Sequence, residues 1–188
     1  SDNNKAQGSS IGINGSYNLI GGETIKNTGN GNIVKGNFIT NKGGTYATDY
    51  ETAKSDGNIV LGNGVTNDGT SSFVAGNTVS NVGDENLILG NNIKNIGSFN
   101  ILQGNTNKNL DGNYNALLGN YHTNTTGLRN LLLGNNNKNI AGSENALIGN
   151  SVTNTAGSNN AILGNSVKNY TGSNNIILGN EAYNYGTP

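Results

Sequence analysis

His122 is the single histidine of this 188-residue chain, and there is no cysteine. Disulfides, thiolate metal centres and cysteine nucleophiles are thereby excluded. His122 stands three residues after a glycine, and the equivalent places in the neighbouring stretches hold Asn107 and Asn137. One histidine per chain makes a metal or anion site only where copies of the chain meet on a common axis. Asn107, His122 and Asn137 are therefore one candidate, an axial polar site. Its structural alternative is a polar ladder, because no carboxylate stands nearby to act as a second ligand or a triad partner. A second candidate is the stretch 44–55, which carries Tyr46, Asp49, Tyr50, Glu51 and Lys54. Tyrosines flanked by charges suit partner contact. A third is a set of lysines at equivalent places, Lys26, Lys94, Lys108, Lys138 and Lys168. They are either a solvated face that discourages edge pairing or a carbohydrate- or matrix-binding surface. No P-loop, no H-E-x-x-H and no G-G-x-G-x-D is present, and no paired carboxylates recur on one face. The sequence thus predicts neither an enzyme nor a cofactor.

The elements that must position these residues are repeats. A glycine closes an apolar triplet at Gly8, Gly22, Gly36, Gly62, Gly76, Gly90, Gly104, Gly119, Gly134, Gly149, Gly164 and Gly179. The spacing is 14 residues, becoming 15 from Gly104 onward, with one interval of 26 that contains the 44–55 stretch. Four residues before this marker glycine stands Asn in every repeat but one, where Ser72 replaces it. Five residues after it stands Asn in eleven of twelve repeats. The residue two before the marker is always apolar, and most residues three after it are as well. Four to five residues per segment is too short for a helix. Each repeat therefore reads as strand, turn, short strand, turn, with Gly and Asn supplying the tight corners. The expected fold is all-β, a parallel β-solenoid of about 12 coils over residues 1–188, with an inserted loop at about 44–55. At about 4.8 Å per coil it forms a rod roughly 55 Å long.

Composition narrows the partners. There are 42 Asn and 30 Gly, with 32% hydrophobic and 11% charged residues, which without the periodicity is the signature of a disordered tract. The net charge of −1 leaves no basic face for phosphates, so nucleic acid is not an expected partner. No apolar run reaches the roughly 18 residues that cross a bilayer. The opening SDNNKAQGSS lacks the apolar core of a signal peptide, so a mature segment is expected, with export signal and anchor elsewhere.

The triplets carry the argument about assembly. Strand side chains alternate between faces. In Leu87-Ile88-Leu89, Leu131-Leu132-Leu133 and Ile176-Ile177-Leu178 the middle residue fills its own coil. Its neighbours then form an apolar stripe on the outside, which identical copies bury in a closed cyclic assembly. The residues assigned to this core and inter-subunit packing are Ile88, Leu89, Leu102, Leu117, Leu118, Leu132, Leu133, Leu147, Ile162, Leu163, Ile177 and Leu178. The alternative is a monomer whose coil is wide enough to enclose both neighbours.

The unit Asn-Ala-Ile-Leu-Gly-Asn-Ser-Val-x-Asn-x-x-Gly, seen at 160–172, resembles the head repeat of YadA-like trimeric autotransporter adhesins, and the likeness runs from about Ser9 to Asn184. It implies a left-handed β-roll assembled as a homotrimer, exposed on the bacterial cell surface at the outer membrane after autotransporter secretion. It also implies a host ligand, either an extracellular-matrix protein or a CEACAM-type receptor, as in fusobacterial members that share the Asn bias. The chain differs from the family in its Asn column five after the marker, where Ala or Ser is usual, and in its five 15-residue spacings. A cell-adhesion role is thus the first expectation. An ice-binding solenoid, resting on the regular Asn column, is the second.

Overall fold

Each apolar triplet with its marker glycine forms a strand that pairs in parallel with the same segment one repeat later. The computed structural model describes residues 3–42 and 57–186, and all regular structure among them is β. The chain divides into two units, Ser1–Asn92 and Ile93–Pro188. Each is a stack of β-solenoid coils, and the coils number about twelve in all.

In the first unit the strands Lys5–Asn14, Leu19–Thr28, Ile33–Lys42, Ile59–Asn63 and Phe73–Val82 stack with Gly8 opposite Gly22, Gly22 opposite Gly36, Gly36 opposite Gly62 and Gly62 opposite Gly76. The register from Gly36 to Gly62 is what it would be without the long interval between them. Residues 43–56 lie outside the described residues, and with them Tyr46, Asp49, Tyr50, Glu51 and Lys54. In the second unit Gly119, Gly134, Gly149, Gly164 and Gly179 stand opposite one another in succession. Its 15-residue coils place the extra residue between the second Asn and the following turn glycine, as in Asn109-Leu110-Asp111-Gly112 against Asn81-Val82-Gly83. Ten-residue strands such as Phe73–Val82 give way there to a five-residue strand and a two-residue one, such as Leu131–Asn135 and Lys138–Asn139.

The corners carry glycine at positive φ as expected, Gly127 at 123° and Gly149 at 139° among them, and they also carry residues of other types. A tighter left-handed φ, near 55–60°, falls two residues after the marker and five before it, at positions held mostly by residues other than glycine. Tyr114, Tyr121, Arg129, Asn136, Glu144 and Ser151 have φ between 55° and 60°. Glycine is required beside these corners for two reasons, its own positive φ, 139° at Gly149, and lack of room. A Cβ on Gly149 would overlap the carbonyl oxygen of Gly164 in the next coil. The marker glycines thus let successive backbones approach, and side-chain-bearing residues take the sharper bend.

Each interior is built from two inward columns edged by asparagine, both apolar in the first unit, while Asn107, His122 and Asn137 interrupt the second column in the second unit. Val34, Val60 and Val74 face Ile39, Val65 and Val79 in the first unit, all buried. Leu102, Leu117, Leu132, Leu147 and Ile162 form the first column of the second unit. The Asn five after the marker donates its amide to the same Asn one coil earlier, with Asn124 to Asn109, Asn139 to Asn124 and Asn154 to Asn139 all at 2.8 Å. The Asn four before the marker accepts the backbone N–H of its successor and donates to a turn carbonyl. Asn115 Oδ1 takes Asn130 N–H at 2.9 Å, while Asn115 Nδ2 reaches Gly127 O at 3.0 Å. Ser72 keeps the acceptor half of this role, its Oγ receiving Asn86 N–H at 3.2 Å. These amides satisfy backbone groups at corners where the strand ladder is interrupted. The buried amide nitrogen of Asn27 has no partner among the described residues, because the first coil carries Ile13 where the ladder needs an amide oxygen.

Candidate functional site

The apolar triplet divides as strand alternation requires. Ile88, Leu102, Leu117, Leu132, Leu147 and Ile162 are fully buried in their own coils, and Ile177 is half-buried in the last one. Leu89 and Leu118 face outward and are half-buried. Leu133, Leu163 and Leu178 also face outward, and are 41%, 37% and 65% exposed. On the same outer face the residue three before the marker is Lys5, Leu19, Ile33, Ile59, Phe73 and Leu87 in the first unit, and Ile101, Ala116, Leu131, Ala146, Ala161 and Ile176 in the second. A wider coil enclosing both neighbours is therefore not what forms. Each unit carries a stripe of mostly apolar side chains on its surface, broken by Lys35 in the first unit and Gln103 in the second and stacked at the strand repeat of about 4.8 Å.

Asn107, His122 and Asn137 do not form an axial site. All three are fully buried inside the second unit's own coils, with side chains pointing into the roll. Their positions follow the left-handed corner, which turns the next side chain inward. His122 takes over the hydrogen bonding of an asparagine. Asn107 Nδ2 donates to Gln103 O at 2.9 Å and Asn137 Nδ2 to Leu133 O at 2.8 Å, and between them His122 Nε2 lies 3.0 Å from Leu118 O. Asn107 Oδ1 accepts His122 N–H at 2.9 Å, and His122 Nδ1 lies 3.2 Å from Asn137 N. A carbonyl only accepts and a backbone N–H only donates, so the ring is neutral with its proton on Nε2. Burial pushes the His122 pKa below its ordinary 6.5, against the opposing pull of the Leu118 carbonyl. Among the described residues no group of three or more His, Cys, Asp or Glu comes together as a metal would require.

The Asn column five after the marker is buried, so it offers no surface array. An asparagine column that does meet solvent stands one residue after the marker, where the Gly-Asn pair recurs in ten repeats; in the sequence these pairs read as corners and not as a surface. In the second unit Asn120, Asn135, Asn150 and Asn165 each donate to the next, at 3.2, 3.2, 3.0 and 3.1 Å, ending on Asn180. Beyond the corner the lysines Lys94, Lys108, Lys138 and Lys168 are exposed in one column. Near the end of the chain Tyr170 stacks on Tyr185, with ring centroids 4.8 Å apart.

The fold and these surfaces define a repeat β-solenoid with an apolar outer stripe and a polar ridge. No family model matches the chain, and neither does any curated protein or solved structure.

Proposed function

We propose that this chain is the head of a bacterial surface adhesin of the trimeric autotransporter kind. In this reading three chains join along their apolar stripes, and the polar faces contact a host receptor of the CEACAM type or an extracellular-matrix protein. The head is displayed at the outer membrane and carries no catalytic role. The observation that supports it is the alternation within consecutive coils, which leaves Leu133, Leu163 and Leu178 outside while Leu132, Ile162 and their equivalents are buried. A stripe of that length on a single soluble chain favours association with copies of itself, and closed cyclic assembly is the economical form. The likeness to YadA-like head repeats supplies the number three.

Light scattering tests the assembly. The expected mass is three times the 19.4 kDa chain, about 58 kDa. Replacing Leu133 and Leu163 by Glu is expected to yield folded monomers, because neither side chain belongs to its coil's interior. A wild-type mass of 19.4 kDa at every concentration rejects the assembly. The adhesin role is tested by displaying the chain on bacteria and counting attachment to host cells and matrix-coated surfaces.

The exposed Asn column favours one second reading, an ice-binding solenoid. Thermal hysteresis in solution separates it from the first, since an adhesin head has none.

A further inference from the structure

The second unit, among its described residues, keeps its lysines outside its one ion pair. Its basic residues are Lys94, Lys108, Arg129, Lys138 and Lys168, and its acidic ones Asp111, Glu144 and Glu181. Arg129 is engaged with Glu144 at 3.2 Å. The four lysines all stand four residues after a marker glycine. Lys94 is opposite Lys108, Lys108 opposite Thr123, Thr123 opposite Lys138, Lys138 opposite Thr153 and Thr153 opposite Lys168. They form one exposed column, in which Lys108, Lys138 and Lys168 recur every second coil, about 9.6 Å apart.

Across the corner the outward groups continue this character. Tyr121 is 62% exposed between the coils of Lys108 and Lys138, and the coils on either side offer Thr, Asn and Ser at its position. Next to it runs the Asn column that ends at Asn180. From the Asn column to the lysines, every outward group is an amide, hydroxyl, phenol or ammonium until Glu181 in the last coil. The whole chain has a net charge of −1, so a polyanion gains nothing from it at large and is drawn only to a local field of this kind.

We propose that this ridge binds a linear anionic polysaccharide, one carrying sulfate or carboxylate on its repeating sugar unit, laid along the stack of coils. The lysines meet successive anionic groups, Tyr121 packs against a sugar face, and the amides and hydroxyls bond the ring hydroxyls. The inference names a ligand class for the adhesin reading and rests on that reading for its biological setting. The ridge itself is complete on one chain. Nucleic acid fits it less well, because the one arginine is engaged elsewhere and the cations are too sparse for a phosphate at each nucleotide.

The test uses the full chain with immobilised heparin, and with neutral dextran as the control. Binding to heparin at low salt, weakening as salt rises, is expected, with none to dextran. The Lys108→Gln, Lys138→Gln, Lys168→Gln triple variant is expected to lose about tenfold or more in affinity, since three exposed charge contacts disappear. A matched triple variant in the first unit, Lys5→Gln, Lys35→Gln and Lys42→Gln, all exposed and outside the lysine column, is expected to bind as wild type. The proposal is overturned if heparin does not bind, if both triple variants lose equally, or if a short duplex DNA binds more tightly than heparin. Light scattering on the same samples separates the two readings. A 58 kDa particle (three 19.4 kDa chains) that ignores heparin ends this proposal alone, whereas a heparin-binding 19.4 kDa particle ends the trimer alone.

Discussion

His122 occupies an asparagine's place in a buried column, and imidazole replaces the amide because its two nitrogens present the same pair of functions, one acceptor and one donor. Protonation removes the acceptor. Nδ1–H would then face Asn137 N–H, two donors with no oxygen between them, inside a roll where a charge is poorly solvated. No Asp, Glu, Lys or Arg occupies the inward positions of its own coil or of those packed above and below; beside the buried asparagines, these hold Leu117 in its own coil, Leu102 above and Leu132 below. The folded state therefore resists the proton more than the unfolded chain does, and burial sets the direction of the shift. Stability from this residue is fully present above pH 6.5, the unfolded value, and is lost as pH falls from 6.5 through the lowered folded value. His122→Asn, which copies Asn107 and Asn137, is expected to flatten the denaturation midpoint against pH between neutrality and the onset of carboxylate titration. Equal slopes for variant and wild type would refute the role given to the ring. Asn139 is the second residue to test. It donates to Asn124 Oδ1, Thr126 O and Gly142 O and accepts from Asn154 Nδ2, so truncation strands several buried groups at once. Urea denaturation of Asn139→Ala should show a loss of about 3 kcal/mol.

The strand-and-corner unit is under a constraint that the residue types do not announce. Thr24, Thr78 and Thr106 adopt φ of 54°, 55° and 58°, a conformation that costs a β-branched residue about 1–2 kcal/mol. Gly64 fills the same position in its own coil with φ 61°. Thr78→Gly should accordingly raise the melting temperature by a few degrees, which calorimetry reads directly. The marker glycine allows no such exchange. Gly149→Ala directs a methyl group at the Gly164 carbonyl, and the two coils must separate to admit it. Its expected cost exceeds about 4 kcal/mol, the range reserved for severe steric failure. The contrast between these two substitutions distinguishes a glycine needed for close approach from a corner that merely tolerates a side chain.

Repeat units that contact only their neighbours draw stability from coil-on-coil interfaces, and the outer stripe leaves a further interface open. If copies of the chain close over that stripe, unfolding is coupled to dissociation. The melting temperature should then rise with protein concentration, and the Leu133→Glu, Leu163→Glu variant should melt at a temperature independent of concentration. The sequence by itself determined the coils: marker spacing, the apolar position two before each glycine and the outward stripe beside it are all legible, because parallel stacking in register places chemically equal residues in columns. It was equally clear that the interval around 44–55 is an insertion, since the pattern resumes unchanged after it. Tertiary structure decided which polar columns lie inside. Period-two alternation holds within a strand, but the left-handed residue after each marker glycine breaks the parity. That break turns Asn107, His122, Asn137 and the Asn five after the marker inward, while the Asn one after it stays in solvent. Nothing in a string of similar asparagines distinguishes the two columns, because their difference lies in the direction of the bend between them.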